Sequence, residues 1–128
     1  MINSLQPPKL SGLRVLVVED EALVALQIED MLTGLGCEVV GPASRVGQAL
    51  QLLHREQVDA AVLDVNIAGE LVYPVADELT NRGLPYIFAT GYGASGLTKA
   101  YRGRPVLEKP FPKKALLQAM LESLQRPE

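Results

Sequence analysis

The stretch Arg14-Val15-Leu16-Val17-Val18-Glu19-Asp20 decides the fold. Its apolar residues are consecutive and mostly β-branched, and two carboxylates close it. A strand covered on one face alternates apolar with polar residues, whereas an unbroken apolar run suits a strand buried on both faces of a parallel sheet. Outward from it the pattern returns. Asp59-Ala60-Ala61-Val62-Leu63-Asp64 reads as a third strand that again ends in a carboxylate. Residues 38–43 read as a second strand, weakened by Gly41 and Pro42; residues 85–90 and 105–109 read as a fourth and a fifth. Helical periods lie between them. Over residues 22–35, Val24, Ile28, Met31 and Leu35 recur at steps of four, three and four, which makes one apolar stripe, and Gly36 is a natural stop. Ser44 is placed to cap a second helix with Val46, Ala49, Leu50 and Leu53 inward. A loop over 65–70 leads to a helix over 73–82 with Val75, Ala76 and Leu79 inward. Pro112 opens a last helix with Leu117, Met120 and Leu124 on one side. Residues 91–103 hold four glycines, so a fourth helix there should be short or mobile.

Five buried-type strands alternating with helices predict an α/β fold: a doubly wound, five-stranded parallel sheet in the order 2-1-3-4-5. A chain of 128 residues has room for one such core. The expected boundaries are a flexible leader over 1–12, the folded domain over 13–125 and a tail over 126–128. Apolar residues make up 48% and charged residues 21%, which argues against disorder. Fifteen acidic against twelve basic residues give a net charge of −3, a balance that argues against nucleic acid as the main partner. The single cysteine, Cys37, excludes an internal disulfide and reads as a small buried filler. No apolar run approaches the roughly 20 residues of a membrane span. Residues 1–10 lack a basic start followed by an apolar run, so no signal peptide is visible and the expected location is cytoplasmic.

In an open α/β sheet, ligands bind beyond the carboxyl ends of the strands, at the switch point of the strand order. Glu19 and Asp20 end the first strand, Asp64 the third, Thr90 the fourth and Lys109 the fifth. Strand interiors are apolar, so packing alone would not select three carboxylates, a hydroxyl and an ammonium at these ends. Two like charges about 4 Å apart repel by roughly 4 kcal/mol at an effective dielectric near 20. A divalent cation removes that repulsion, and an all-oxygen donor set with open positions suits Mg²⁺. A cation beside a carboxylate, a hydroxyl and a lysine points to phosphoryl transfer onto Asp64.

These residues, with Lys109-Pro110-Phe111, resemble the response-regulator receiver domains of two-component signalling over about residues 13–125. Phe88-Ala89-Thr90-Gly91-Tyr92-Gly93 resembles a subgroup with this fourth-strand signature, found in stand-alone and hybrid-kinase receivers. The resemblance implies a flavodoxin-like fold, with Asp64 as phosphoacceptor. Glu19, Asp20, Asp64 and the backbone carbonyl of Asn66 would hold Mg²⁺. Lys109 and Thr90 would contact the phosphoryl group, and the Lys109–Pro110 peptide would be cis. The implied partners are a histidine kinase or histidine phosphotransfer protein and an unidentified downstream protein, with neither nucleic acid nor membrane. An exposed apolar patch on the fifth strand and last helix would favour a homodimer. The domain would not be an enzyme beyond its own phosphorylation and dephosphorylation. The expected form is a receiver without an output domain, either a stand-alone regulator or a receiver excised from a larger protein.

One departure concerns the switch. Many receivers carry an aromatic residue three before the fifth-strand lysine, and here that position is Val106. Tyr92 and the glycine-rich 91–103 segment are then the candidates to move with Thr90. His54 reads as a surface residue, and Tyr73 and Tyr101 as packing residues. A Mg²⁺-dependent phosphatase with an aspartyl nucleophile is the alternative function, but this length leaves no cap over a substrate pocket. A flavin or nucleotide binder would need a Gly/Thr-rich phosphate loop where Glu19-Asp20-Glu21 would repel phosphate.

Overall fold

The computed structural model describes residues 10–91, 97–101 and 103–125. Five parallel strands form its main sheet: β1 (Arg14–Val18), β2 (Glu38–Ala43), β3 (Ala60–Asp64), β6 (Tyr86–Thr90) and β7 (Val106–Glu108). Their order is β2-β1-β3-β6-β7, which is the expected 2-1-3-4-5 once a small insertion is allowed for. The insertion lies in the expected loop after β3. There β4 (Asn66–Ile67) and β5 (Glu70–Leu71) pair antiparallel as a tight hairpin. Its two turn residues, Ala68 and Gly69, have φ of 52° and 88°, the positive values that a two-residue hairpin turn requires.

Alternation along the central strands splits the core into two layers. Leu16, Val18, Leu63 and Phe88 face α2 (Val46–Arg55) and α3 (Tyr73–Asn81). Val15, Val17, Val62 and Ile87 face α1 (Ala22–Gly34) and α4 (Lys113–Gln125). Consecutive apolar residues in β1 are thus used in full, one layer for each parity.

Several local expectations are corrected. The deepest line of α1 is Ala25, Ile28 and Leu32; Val24, Met31 and Leu35 of the expected stripe flank it, partly buried. Likewise, α4 buries Leu116, Ala119 and Met120, while Leu117 and Leu124 sit at the margin. Two stripes one residue apart both satisfy the helical period, and only the sheet decides between them. Ser44 is not the cap of α2. Arg45 holds that place, and Gln48 Oε1 turns back to accept the Ser44 backbone N–H at 3.0 Å. Leu10, assigned to the leader, is 0% exposed and packs in the α1/α4 layer. Its carbonyl accepts the Cys37 thiol at 3.5 Å, and Gly12 N–H donates to the Gly36 carbonyl at 2.8 Å. The expected tail, 126–128, lies outside the described residues.

Gly41 sits where β2 bends past β1, with φ of 97° and a cis peptide to Pro42. A Cβ there would stand 2.8 Å from the Ala43 nitrogen and 3.1 Å from the Val17 carbonyl. Between β6 and β7 the described residues show one 3-10 turn, Lys99–Tyr101, consistent with the helix-breaking glycines around it.

Candidate functional site

Four strand ends meet at one rim. The backbone stays in register across it: Asp64 pairs with Ala89, Thr90 with Glu108, and Lys109 N–H donates to the Thr90 carbonyl at 2.9 Å. Each polar residue therefore leaves its strand at the same height. Glu19, Asp20 and Asp64 each offer a carboxylate oxygen within 4.8 Å of the others. Lys109 Nζ lies between two of them. It donates to Glu19 Oε1 at 2.6 Å and to Asp64 Oδ2 at 3.0 Å. The Lys109–Pro110 peptide is cis.

Burial divides the acids by task. The Glu19 side chain is 0% exposed and that of Asp64 is 12% exposed, while Asp20 is open to solvent. Glu19 is tied at both oxygens, because the Glu21 backbone N–H donates to Oε2 at 3.1 Å. Burial pushes the Glu19 carboxyl above its ordinary range; the hydrogen bond from Lys109 opposes this and the charge of Asp64 adds to it. Burial alone would lower the Lys109 ammonium, but its hydrogen bonds to Glu19 and Asp64 outweigh that and raise it. Burial thus governs the Glu19 shift, and the two bonded carboxylates govern that of Lys109.

An open cleft of about 900 Å³ covers this rim, walled by Asp20, Val24, Asp64, Asn66, Leu71, Thr90 and Lys109. Asn66 lies on β4, and its Oδ1 accepts the Gly69 backbone N–H at 3.1 Å. Asp20 Oδ2 accepts the Ala68 backbone N–H at 3.0 Å, which fastens the hairpin across the cleft. Thr90 is buried and reaches the cleft wall. Val106 is half-buried beside Phe88 on the neighbouring strand and does not line the cleft. Tyr92 lies outside the described residues. His54 is exposed on α2. The cleft brings together two features that the linear reading missed: the apolar wall made by Val24 and Leu71, and the hairpin tie to Asp20. The Ala68-Gly69 turn dipeptide was the available signal for the hairpin.

The donor set fits a hard divalent cation. Three carboxylates offer oxygens close together with one ammonium against them, and the open side leaves room for water and phosphate oxygens.

Residues 15–121 match the family model described as response regulator receiver domain. The chain is 28% identical over 117 residues to the transcriptional regulatory protein PdtaR of Mycobacterium tuberculosis, covering 88% of this chain and 57% of that protein. It is 31% identical over 102 residues to the phyllosphere-induced regulator PhyR of Methylorubrum extorquens, covering 76% of this chain and 38% of PhyR. The chain thus spans less than two thirds of the curated relatives it matches. Among solved structures, SdrG of Sphingomonas melonis superposes with a TM-score of 0.81 at 39% identity, covering 88% of this chain and 97% of SdrG. The response regulator PhyR of Brucella abortus gives 0.78 at 31% identity, over 88% of this chain and 48% of that one.

Proposed function

The chain belongs to the response regulator receiver domain family, and on that premise we propose that Asp64 accepts a phosphoryl group from a phosphohistidine on a kinase or phosphotransfer protein. One observation carries the reading: Lys109 bridges Glu19 and Asp64 at a rim where three carboxylates crowd together. An Asp64 oxygen attacks phosphorus, the P–N bond breaks, and the departing imidazole nitrogen keeps the electron pair and takes a proton. Lys109 meets the oxygens of the group in transfer with its ammonium, and Thr90 supplies a hydroxyl at the cleft wall. Glu19, Asp20, Asp64 and the Asn66 backbone carbonyl are the groups that would hold Mg²⁺. When bound, the ion supplies positive charge that offsets the phosphoryl oxygens. Water in the same cleft would later hydrolyse the acyl phosphate, at a rate that Asn66 at its edge influences.

We assign the chain to the receiver subgroup with Phe88-Ala89-Thr90-Gly91-Tyr92 on the fourth strand, and take its folded unit to run from Leu10 to Gln125. It acts by changing its protein contacts and not by turning over a substrate. The similar PhyR of Bartonella quintana is an anti-anti-sigma factor, and we infer for this chain a protein target of comparable kind. Among the described residues no helix is long and apolar enough to cross a membrane, and we place the domain in the cytoplasm.

Incubation with a small acyl phosphate and Mg²⁺, followed by intact mass, tests the reading. The expected result is one phosphoryl adduct, absent from Asp64→Asn. Sustained turnover of phosphate esters without an adduct would overturn it in favour of a phosphatase.

A further inference from the structure

Outside the cleft, the least ordinary arrangement is an aromatic pair. The rings of Tyr73 and Tyr101 stack with centroids 4.2 Å apart and planes 7° from parallel. Their hydroxyls are exchanged between two elements. Tyr73, the first residue of α3, accepts the Thr98 backbone N–H at 2.9 Å. Tyr101, on the 3-10 turn, donates to Asp77 Oδ1 of α3 at 2.5 Å. Each ring is thus held by the other's element, so the two bonds form and break together. Phe88 lies under the pair, edge-on to Tyr73 at 6.4 Å and to Tyr101 at 6.2 Å.

Both sides of this pair lead back to the cleft. Tyr73 follows the hairpin that leaves Asp64 and carries Asn66 and Leu71. The turn with Tyr101 lies on the chain that leaves Thr90. Phe88, two residues before Thr90, shares its face of β6. The pair therefore bridges the exits of two adjacent strands, the one ending in Asp64 and the one ending in Thr90. Any change in the spacing of those two residues strains the bridge. Packed rings of this sort have discrete arrangements and do not deform continuously. Its hydrogen bonds lie at a partly open surface, beside a cleft lined by Asp77, Thr80, Tyr86 and Arg104. The Thr98–Tyr73 bond joins two neutral groups and is weaker than the charge-assisted contacts a phosphoryl group makes, whereas the Tyr101–Asp77 bond is itself charge-assisted.

We propose that Tyr73 and Tyr101 form a clasp whose closure is set by the phosphoryl state of Asp64, an inference that rests on the reading of Asp64 given above. The clasp is closed here, holding the 97–101 segment against α3. Phosphorylation draws on Thr90 and opens it, which exposes the ring faces and the Asp77 carboxylate to a partner.

The test uses the full chain with beryllium trifluoride and Mg²⁺ as the phosphoryl mimic, and follows amide exchange at Thr98, whose N–H is the bond to Tyr73. Exchange at Thr98 should quicken by about tenfold or more on adding the mimic. Tyr101→Phe, which keeps the ring but loses the Asp77 bond, should show faster exchange before the mimic is added. By linkage it should also bind the mimic about fivefold more tightly. Phosphoryl adduct formation at Asp64 with a small acyl phosphate and Mg²⁺ is measured in parallel by intact mass. An adduct with unchanged Thr98 exchange, or a Tyr101→Phe variant with an unmoved mimic midpoint, overturns the clasp and leaves the phosphoacceptor reading standing. No adduct in the unsubstituted chain overturns both.

Discussion

Replacing Lys109 by methionine probes the arrangement on which the site depends. The substitution keeps most of the side-chain volume and removes the ammonium that sits 2.6 Å from Glu19 Oε1 and 3.0 Å from Asp64 Oδ2. At those separations the attraction is about 5–6 kcal/mol per pair at an effective dielectric near 20. Desolvation of the ammonium, whose side chain is only 16% exposed, cancels part of that. What survives is the cost of leaving Glu19 sealed in with Asp64 and no counter-charge. Removing one partner of a buried pair costs about 3–5 kcal/mol, and the slight exposure of Asp64 and Lys109 places this case at about 3 kcal/mol. In urea unfolding without divalent cation, a loss of that size moves the midpoint down by about 1.5 M for a slope near 2 kcal/mol/M. Adding Glu19→Gln to Lys109→Met should recover about half of the loss, because a neutral amide tolerates the same burial far better. A midpoint within about 0.2 M of the parent, or a double variant no more stable than Lys109→Met, would refute the electrostatic account of this site.

Further outcomes follow from other parts of the molecule. Mg²⁺ at about a hundred times its dissociation constant should stabilise the chain by about 2.7 kcal/mol in urea unfolding, and Asp20→Asn should remove most of that gain. Gly41→Ala meets backbone atoms at 2.8 and 3.1 Å at a positive φ, and should cost about 1–3 kcal/mol by the same assay. Leu10→Ala should cost about 2–5 kcal/mol by the same assay, because that side chain is fully buried in the α1/α4 layer. The Tyr101 hydroxyl, held chiefly by its bond to Asp77 and further by burial, has its pKa pushed up to about 12. Because this value lies above that of the unfolded chain, the bond's contribution is complete below about pH 10 and is lost as pH rises through about 12. Tyrosinate absorbance should include a late component near pH 12, and Asp77→Asn should move that component to lower pH.

The unbroken apolar runs at Val15–Val18 and Ala60–Leu63 were enough to specify buried parallel strands, because strand burial on two faces is written in consecutive residues. The polar ends were equally legible: Glu19, Asp20, Asp64, Thr90 and Lys109 interrupt apolar runs at the one place where an α/β sheet binds ligands. What the linear order could not contain is who meets whom. Lys109 and Glu19 are 90 residues apart, and their bond exists only because parallel pairing brings four strand ends to one height. The same limit explains the shifted stripes of α1 and α4: a helix offers neighbouring lines of apolar residues, and the sheet it lands on selects one. Leu10 illustrates it in the other direction, since an apolar residue next to Pro7, Pro8 and Lys9 looks like leader until α1 and α4 close over it. Tyr73 and Tyr101 looked like separate packing residues, and became a pair only when the chains leaving Asp64 and Thr90 were laid side by side. Local chemistry chose the elements and armed their ends; distances across the fold, which no periodicity encodes, decided how those ends act together.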